Sequence, residues 1–272
     1  MRTRPNYVAG VAAFGWLLII GVPLYALVNT AVQPQTTYTD KGPVSIPDTV
    51  TLENFRTVLD SGFPEYIWNT VVVAVATVVI VLALAIPISY AVVRGRGWMT
   101  TGVFRLFLLG LAIPSQAVII PLFLIINNLG FYDTLWGIIL PTAAFALPVS
   151  VLVLSGGMRD ISTELYEAMA LDGASPARTL LTLVVPMSKS AIATTSVFTA
   201  LQAWNGFLFP LIMTQSNDNK LVTLGLYNFV SEYGANVPAL LAAVLMSAVP
   251  ILVVYLFARR ALVAGLMGAG GK

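Results

Sequence analysis

The chain has 272 residues, of which 58% are hydrophobic and only 10% charged, and its mean hydropathy is +0.87. A soluble domain needs about 25% charged residues to solvate its surface, so this composition excludes an ordinary soluble fold and points to a bilayer. The chain has no Cys and no His, which removes disulfides, thiolate chemistry, the commonest metal ligand and the commonest general base, while the net charge of +2 informs only through its distribution.

The first apolar segment covers about residues 8–28, behind Arg2 and Arg4. It is too long for a signal-peptide core and no small-x-small cleavage site follows, so it reads as an uncleaved span. The loop after it, Gln33 to Glu65, is the longest connection. Within it TLENFRTVLD places Thr51 as an N-cap and Leu52, Phe55, Val58 and Leu59 on one apolar face of a short helix. Amphipathicity favours an interfacial helix lying on the membrane; the alternative is part of a docking surface for a partner.

Five further apolar segments follow at about residues 66–93, 106–126, 134–154, 191–213 and 239–257. None of the six contains Asp, Glu, Lys or Arg, and about 20 helical residues cross a hydrocarbon core. The expected fold is therefore an all-α membrane protein with six transmembrane helices, forming one domain over residues 1–272. Prolines 23, 87, 114, 121, 141, 148, 210 and 250 lie inside the spans. Each frees a backbone carbonyl that a neighbour must satisfy.

Neutral polar residues also enter the spans. Asn69 and Thr70 lie in the second, Ser115, Gln116, Asn127 and Asn128 in or after the third. In the fifth, LQAWNGFLFP brings Gln202, Trp204, Asn205 and Phe207 within a few residues. Such amides and aromatics either make interhelical hydrogen bonds or line a pathway, where amides suit hydroxyl-rich ligands and aromatic faces suit sugar rings. No carboxylate, Lys, Arg or His lies inside a span, which disfavours proton coupling and an anionic cargo. The C-terminal GLMGAGGK has Leu266 where a phosphate loop needs its first Gly, and no Ser or Thr follows Lys272. It reads as a flexible tail, so any ATP is bound by another chain.

With the N-terminus inside, Arg2, Arg4, Arg94, Arg96, Arg105, Arg159, Arg178, Lys189, Arg259, Arg260 and Lys272 fall inside, against Lys41, Arg56 and Lys220 outside. That imbalance puts both termini in the cytoplasm. The polar loop at about residues 159–186 is then cytoplasmic too. In it, ELYEAMALDGASPARTLLTLVVP reads as two short helices. Asp160 or Ser162 can cap the first, and Glu164 suits its positive end. Asp172-Gly173 ends it, and Ser175-Pro176 starts a second helix that runs through Leu180 and Leu183 toward Pro186. Leu165, Ala168, Met169 and Leu171 supply an apolar surface for a partner to grip.

This stretch resembles the EAA loop of ABC-transporter permease subunits. Glu167-Ala168-Met169 matches the opening triplet, Gly173 follows at the family's spacing, and Leu183-Val184-Val185-Pro186 closes the motif. Met169, Leu183 and Val185 are apolar replacements within the pattern. The six-span layout, the TLENF segment, the DGASP turn and Trp204-Asn205 followed by Phe207-Leu208 and Pro210 resemble the carbohydrate-importing branch, similar to its maltose-type G subunit. Gly206 stands where that branch often carries an acidic residue.

The resemblance implies a type I ABC importer transmembrane domain with a cytoplasmic coupling helix, in a bacterial inner (plasma) membrane. It implies a heterodimer with a second permease, two ATPase subunits below, an extracytoplasmic substrate-binding protein and no nucleic acid. It implies no enzymatic activity and no cofactor on this chain, with ATP and Mg held by the ATPases. Glu164, Glu167, Ala168, Met169, Leu171, Asp172, Gly173 and Pro186 are the implied coupling residues, and Asn127, Asn128, Gln202, Trp204, Asn205 and Phe207 the candidate pathway residues. A sugar is the expected cargo. Another small polar solute (a glycerol phosphate, polyamine or amino acid) is the runner-up, and an ATP-independent channel the third reading.

Overall fold

A computed structural model describes residues 7–47, 49–95, 97–231 and 234–270. In chain order the helices are α1 Tyr7–Ala31, α2 Gln35–Lys41, α3 Glu53–Asp60, α4 Phe63–Arg94, α5 Trp98–Gly110, α6 Ile119–Asn128, α7 Leu135–Arg159, α8 Thr163–Leu171, α9 Pro176–Thr179, α10 Val185–Met187, α11 Lys189–Trp204, α12 Leu208–Met213, α13 Val222–Gly225 and α14 Val237–Gly270. A π-helical turn, Leu180–Val184, joins α9 to α10. One short antiparallel pair, β1 Val230–Ser231 and β2 Gly234–Ala235, aligns Val230 with Ala235. The chain divides into two compact units, one of residues up to 64 with 225–250, the other of 65–224 with those from 251.

In the first unit α1 is exposed along most of its length and buries only Asn29, Thr30 and Ala31 at its end. An all-apolar helix with an exposed surface is suited to lipid. Its end is stitched to the following loop by side-chain amides. Asn29 Nδ2 donates to the Pro43 and Ser45 carbonyls at 3.0 and 2.7 Å. Asn54 Nδ2 donates to the carbonyls of Ala31 and Gln33 at 2.9 and 2.7 Å. This revises the expected apolar face of α3. Asn54 and Val58 point inward, whereas Leu52 and Leu59 are exposed. The cap is also offset by one residue: Leu52 holds the N-cap position, and the Thr51 hydroxyl accepts from Glu53 N–H at 3.1 Å.

The second unit is centred on α7, the helix with the longest roll of buried residues. Val151, Leu154 and Met158 meet Val81 and Ala85 of α4 in one apolar cluster. Ile138 and Ile139 meet Val73, Ile126 and Met213 in another. Small residues allow close approach. A methyl at Gly157 would stand 2.6 Å from Ala191 Cβ, and one at Gly110 3.1 Å from the Pro148 ring.

Of the six expected transmembrane helices, two are interrupted within their length. Among the described residues three helices, α1, α4 and α7, are long and apolar enough to cross a bilayer unbroken, and up to five spans result if each bent pair counts as one. The third expected span, 106–126, is split: α5 and the 115–128 segment meet at 93°. The fifth, 191–213, is interrupted at residues 205–207 between α11 and α12, and α11 is itself bent by 79° from the 176–187 segment. Both interruptions have a Gly–Pro pair spaced by four, Gly110/Pro114 and Gly206/Pro210. Proline has no N–H for the carbonyl four residues earlier, and glycine at that position weakens the helix further. At the second break the released carbonyl has a donor, Thr223 Oγ1 at 2.8 Å from Gly206 O. The sixth expected span, 239–257, lies within α14, which continues to Gly270. The segment expected as a flexible tail is thus helical up to that residue, and Gly271 and Lys272 lie outside the described residues, as do Arg2, Arg4 and Arg96.

The contact at Gly157 generates a test. Gly157→Ala should destabilise the protein by about 1–3 kcal/mol through overpacking, and adding Ala191→Gly should restore most of the loss. Thermal melts in detergent decide it: wild-type melting of the single variant would remove the close-approach account.

Candidate functional site

The polar interruption predicted between the fourth and fifth spans is a helix–turn–helix built from local capping. Glu164 lies in the first turn of α8, and Ser162 at the N-cap position hydrogen-bonds its carboxylate at 3.2 Å rather than a backbone N–H. At the other end Asp172 is the C-cap and Gly173 takes φ +70°. Gly173 N–H bonds to Ala170 O at 3.1 Å and Ala174 N–H to Met169 O at 2.9 Å. This double closure is a Schellman motif, and its left-handed residue is disfavoured for any side chain. Ser175 Oγ then accepts from Arg178 N–H at 3.3 Å, with Pro176 in the first turn of α9.

The expected second helix is not uniformly α. It passes through the π turn at Leu180–Val184 before α10 and turns at Ser188. Pro186 is exposed within α10. One residue of α8 is buried, Tyr166, at 5% exposure. It packs in the cluster with Met158, Ile161 and Val184. Glu164, Glu167, Ala168 and Asp172 are exposed, Leu171 is 89% exposed and Met169 is half-buried. The helix therefore hangs from one aromatic anchor and presents carboxylates and apolar side chains outward.

The other candidate residues lie on two further elements. Asn127 and Asn128 are exposed at the end of α6. Gln202, Asn205 and Phe207 are exposed around the break after α11, where Asn205 Nδ2 turns back to Leu201 O at 2.9 Å. Trp204 differs from them: at 8% exposure it is packed against Ala74 and Ala203, with Ile67, Val71 and Ile251 around it. α12, which begins after the break, packs on both α6 and α7.

Residues 83–262 match the family described as binding-protein-dependent transport system inner membrane component. The chain belongs to this family. It is 30% identical to a diacetylchitobiose uptake system permease protein of Streptomyces coelicolor, over 94% of this chain and 85% of that one. It is also 30% identical to an arabinooligosaccharides transport system permease protein of Halalkalibacterium halodurans, over 94% and 96%. Among solved structures it superposes on a bacterial ABC transporter involved in import of the acidic polysaccharide alginate. The TM-score is 0.79, the identity 19%, and the match covers 96% of this chain and 98% of that one. The fold is therefore that of an ABC importer transmembrane domain. This permease is a multi-pass inner-membrane transport component.

Sequence reasoning missed a polar clamp in the permease between α6, α7 and the loop after α12. Asp133 takes φ +56°, a conformation that Asp and Asn tolerate better than other side chains. Its Oδ1 accepts from the backbone N–H groups of Gln215 and Ser216 at 2.9 and 3.0 Å and from Ser216 Oγ at 3.0 Å. Asn219 Nδ2 donates to Asp133 O at 2.7 Å. The same loop is held from α4: Asn69 Nδ2 donates to Asp218 O and Lys220 O at 2.7 and 3.1 Å, and Thr70 Oγ1 accepts from Val222 N–H at 3.0 Å. Asn69 and Thr70 were visible as polar residues in a span, but their partners are some 150 residues away. Two pKa shifts accompany these sites. The Gln215 N–H, with that of Ser216, holds the Asp133 carboxyl below its ordinary value, and burial pushes the Tyr166 hydroxyl up against an opposing Arg94 charge.

The clamp predicts a pH dependence. A folded-state pKa below the unfolded value contributes stability above that value and loses it as pH falls through the folded pKa. Asp133→Asn retains the turn and an acceptor but not the charge. It should melt below wild type at neutral pH, and the gap should start to close as pH drops below the ordinary 3.8. A gap that stays constant with pH would mean that the charge contributes nothing.

Proposed function

We propose that this permease forms half of the translocation pathway of an ATP-driven importer for a sugar or oligosaccharide. It pairs with a second permease as a single transmembrane domain over residues 1–272. An extracytoplasmic binding protein delivers the cargo, and two cytoplasmic ATPase subunits bind and hydrolyse ATP with Mg. Both termini are cytoplasmic, in keeping with the Lys and Arg asymmetry. The observation that carries this reading is the outward presentation of α8. Glu167, Ala168, Met169 and Leu171 lie on a short helix closed by Gly173, in the register of an ATPase-coupling motif, with Pro186 at its end. The C-terminal GLMGAGGK departs from a phosphate-loop pattern, and a firmly capped, exposed helix is the part a partner can hold.

The sugar assignment is supported by relatives named for diacetylchitobiose and arabinooligosaccharide transport. It is supported as well by spans without fixed charge, since an anionic cargo calls for cations along its route. In this scheme Asn127, Asn128, Gln202, Asn205 and Phe207 offer amides and an aromatic face to the cargo. Trp204 backs them from the core.

Two tests follow. Glu167→Ala removes the exposed carboxylate and Gly173→Pro forbids the left-handed turn. Both should leave the protein in the membrane while sharply reducing uptake and cargo-stimulated ATP hydrolysis in the reconstituted complex. Full uptake by both would remove α8 from coupling. Along the pathway, Gln202→Ala and Asn205→Ala should change uptake affinity or rate with little effect on melting. Trp204→Ala should instead lower stability, by about 3–5 kcal/mol if its packing is typical of a buried aromatic. Competition by a panel of sugars reads the first effect and thermal melting the second. Unchanged uptake by both amide variants would return those residues to a structural role.

A further inference from the structure

A force applied to α8 can reach the transmembrane helices only through what holds α8 in place, and little does. Tyr166 is its one buried residue. The ring is covered by Arg94, whose guanidinium carbon stands 4.2 Å from the ring centroid. Arg94 is the last residue of α4, and Gly95 after it cannot carry a side chain, because a Cβ there would collide with Thr100 and with Ala91 O. The stack thus links the centre of α8 to the end of a helix 32 residues long. A cleft of about 180 Å³ beside it, lined by Tyr90, Arg94, Tyr166 and Thr179 among others, leaves room for the ring and guanidinium to shift against each other. The Tyr166 hydroxyl is buried with no hydrogen-bond partner among the described residues. What the position uses is therefore the aromatic face and its packing, not the hydroxyl.

We infer that Tyr166 and Arg94 form the joint through which displacement of α8 is passed to α4. A guanidinium over an aromatic face is attracted without a fixed hydrogen-bond direction, so the contact can tilt without breaking. Tyr166 sits in the same apolar cluster as Val81 and Ala85 of α4 and Leu154 and Met158 of α7. Rotation at the joint therefore reaches two spans together. Both residues are positioning residues, acting through α8 and α4. The inference rests on the coupling reading of α8 given above.

The test uses the full complex of permeases, ATPases and binding protein in proteoliposomes, reading cargo transported per ATP hydrolysed. Arg94→Ala and Tyr166→Leu should each lower that ratio by roughly five- to tenfold, the low end of typical coupling between sites, with the ATPases still bound at unchanged stoichiometry. Tyr166→Phe should retain the ratio, because it preserves the ring. The Arg94→Ala/Tyr166→Leu double variant should be no worse than either single one, because both remove one contact. An unchanged ratio in Arg94→Ala, a Tyr166→Phe as defective as Tyr166→Leu, or losses that multiply would each overturn the joint. If Tyr166→Leu does not accumulate, Arg94→Ala decides alone, because Arg94 is exposed and outside the core. Glu167→Ala separates the two levels. Normal coupling in that variant and in Gly173→Pro together removes the parent reading; lost coupling in either with a normal Arg94→Ala removes only the joint.

Discussion

In a hydrocarbon environment every backbone carbonyl released from a helix must find a donor within the protein, and this bundle is arranged around where such carbonyls are released. Pro210 leaves Gly206 O without its helical partner, and Thr223 supplies a hydroxyl to it. The resulting break separates α11 from α12 and creates a non-helical point flanked by Gln202, Asn205 and Phe207. Other prolines are absorbed without a break. Pro87 lies well inside α4, and Pro148 inside α7 fills space against Gly110. A proline alone does not interrupt a span here. A glycine four residues before it, in mid-span, accompanies both interruptions.

The polar groups that hold the second unit are concentrated at helix ends. Asp133, Asn69 and Thr70 bind the loop after α12 by its backbone groups, which otherwise have no regular structure to satisfy them. Near α8 the fixation is of another kind, aromatic packing and cation–π contact, with Arg159 over Phe104 at 5.4 Å as a second instance beside Arg94 and Tyr166. Directional hydrogen bonds hold a loop in one geometry, whereas a stacked cation permits tilt. The loop after α12 is held by the first kind of contact and Tyr166 of α8 by the second.

Much of this was legible in advance because it is local. The caps at Gly173 and Ser175 follow from residue type and spacing within a few positions, and the structure forms both as read. Three long spans were legible as unbroken apolar runs. The breaks in the third and fifth were not, because proline is tolerated in membrane helices whenever a neighbour supplies a donor, and that neighbour is not adjacent in sequence. Leu165, Ala168, Met169 and Leu171 were read as the working face of α8. Tyr166, the residue that turns inward, was not among them.

By itself the sequence determined the bilayer environment, the apolar spans and the capped turn at residues 159–186, since these depend on composition and on interactions between near neighbours. It also carried the register of Glu167, Gly173 and Pro186, through which the family resemblance was visible. Only the tertiary structure decided that Asp133 meets Ser216, that Thr223 receives the Gly206 carbonyl, that Trp204 is core and that Tyr166 lies under Arg94. Those pairings join residues tens to more than a hundred positions apart or turn on which face of a helix packs inward. Neither property is encoded in the local pattern of apolar and polar residues.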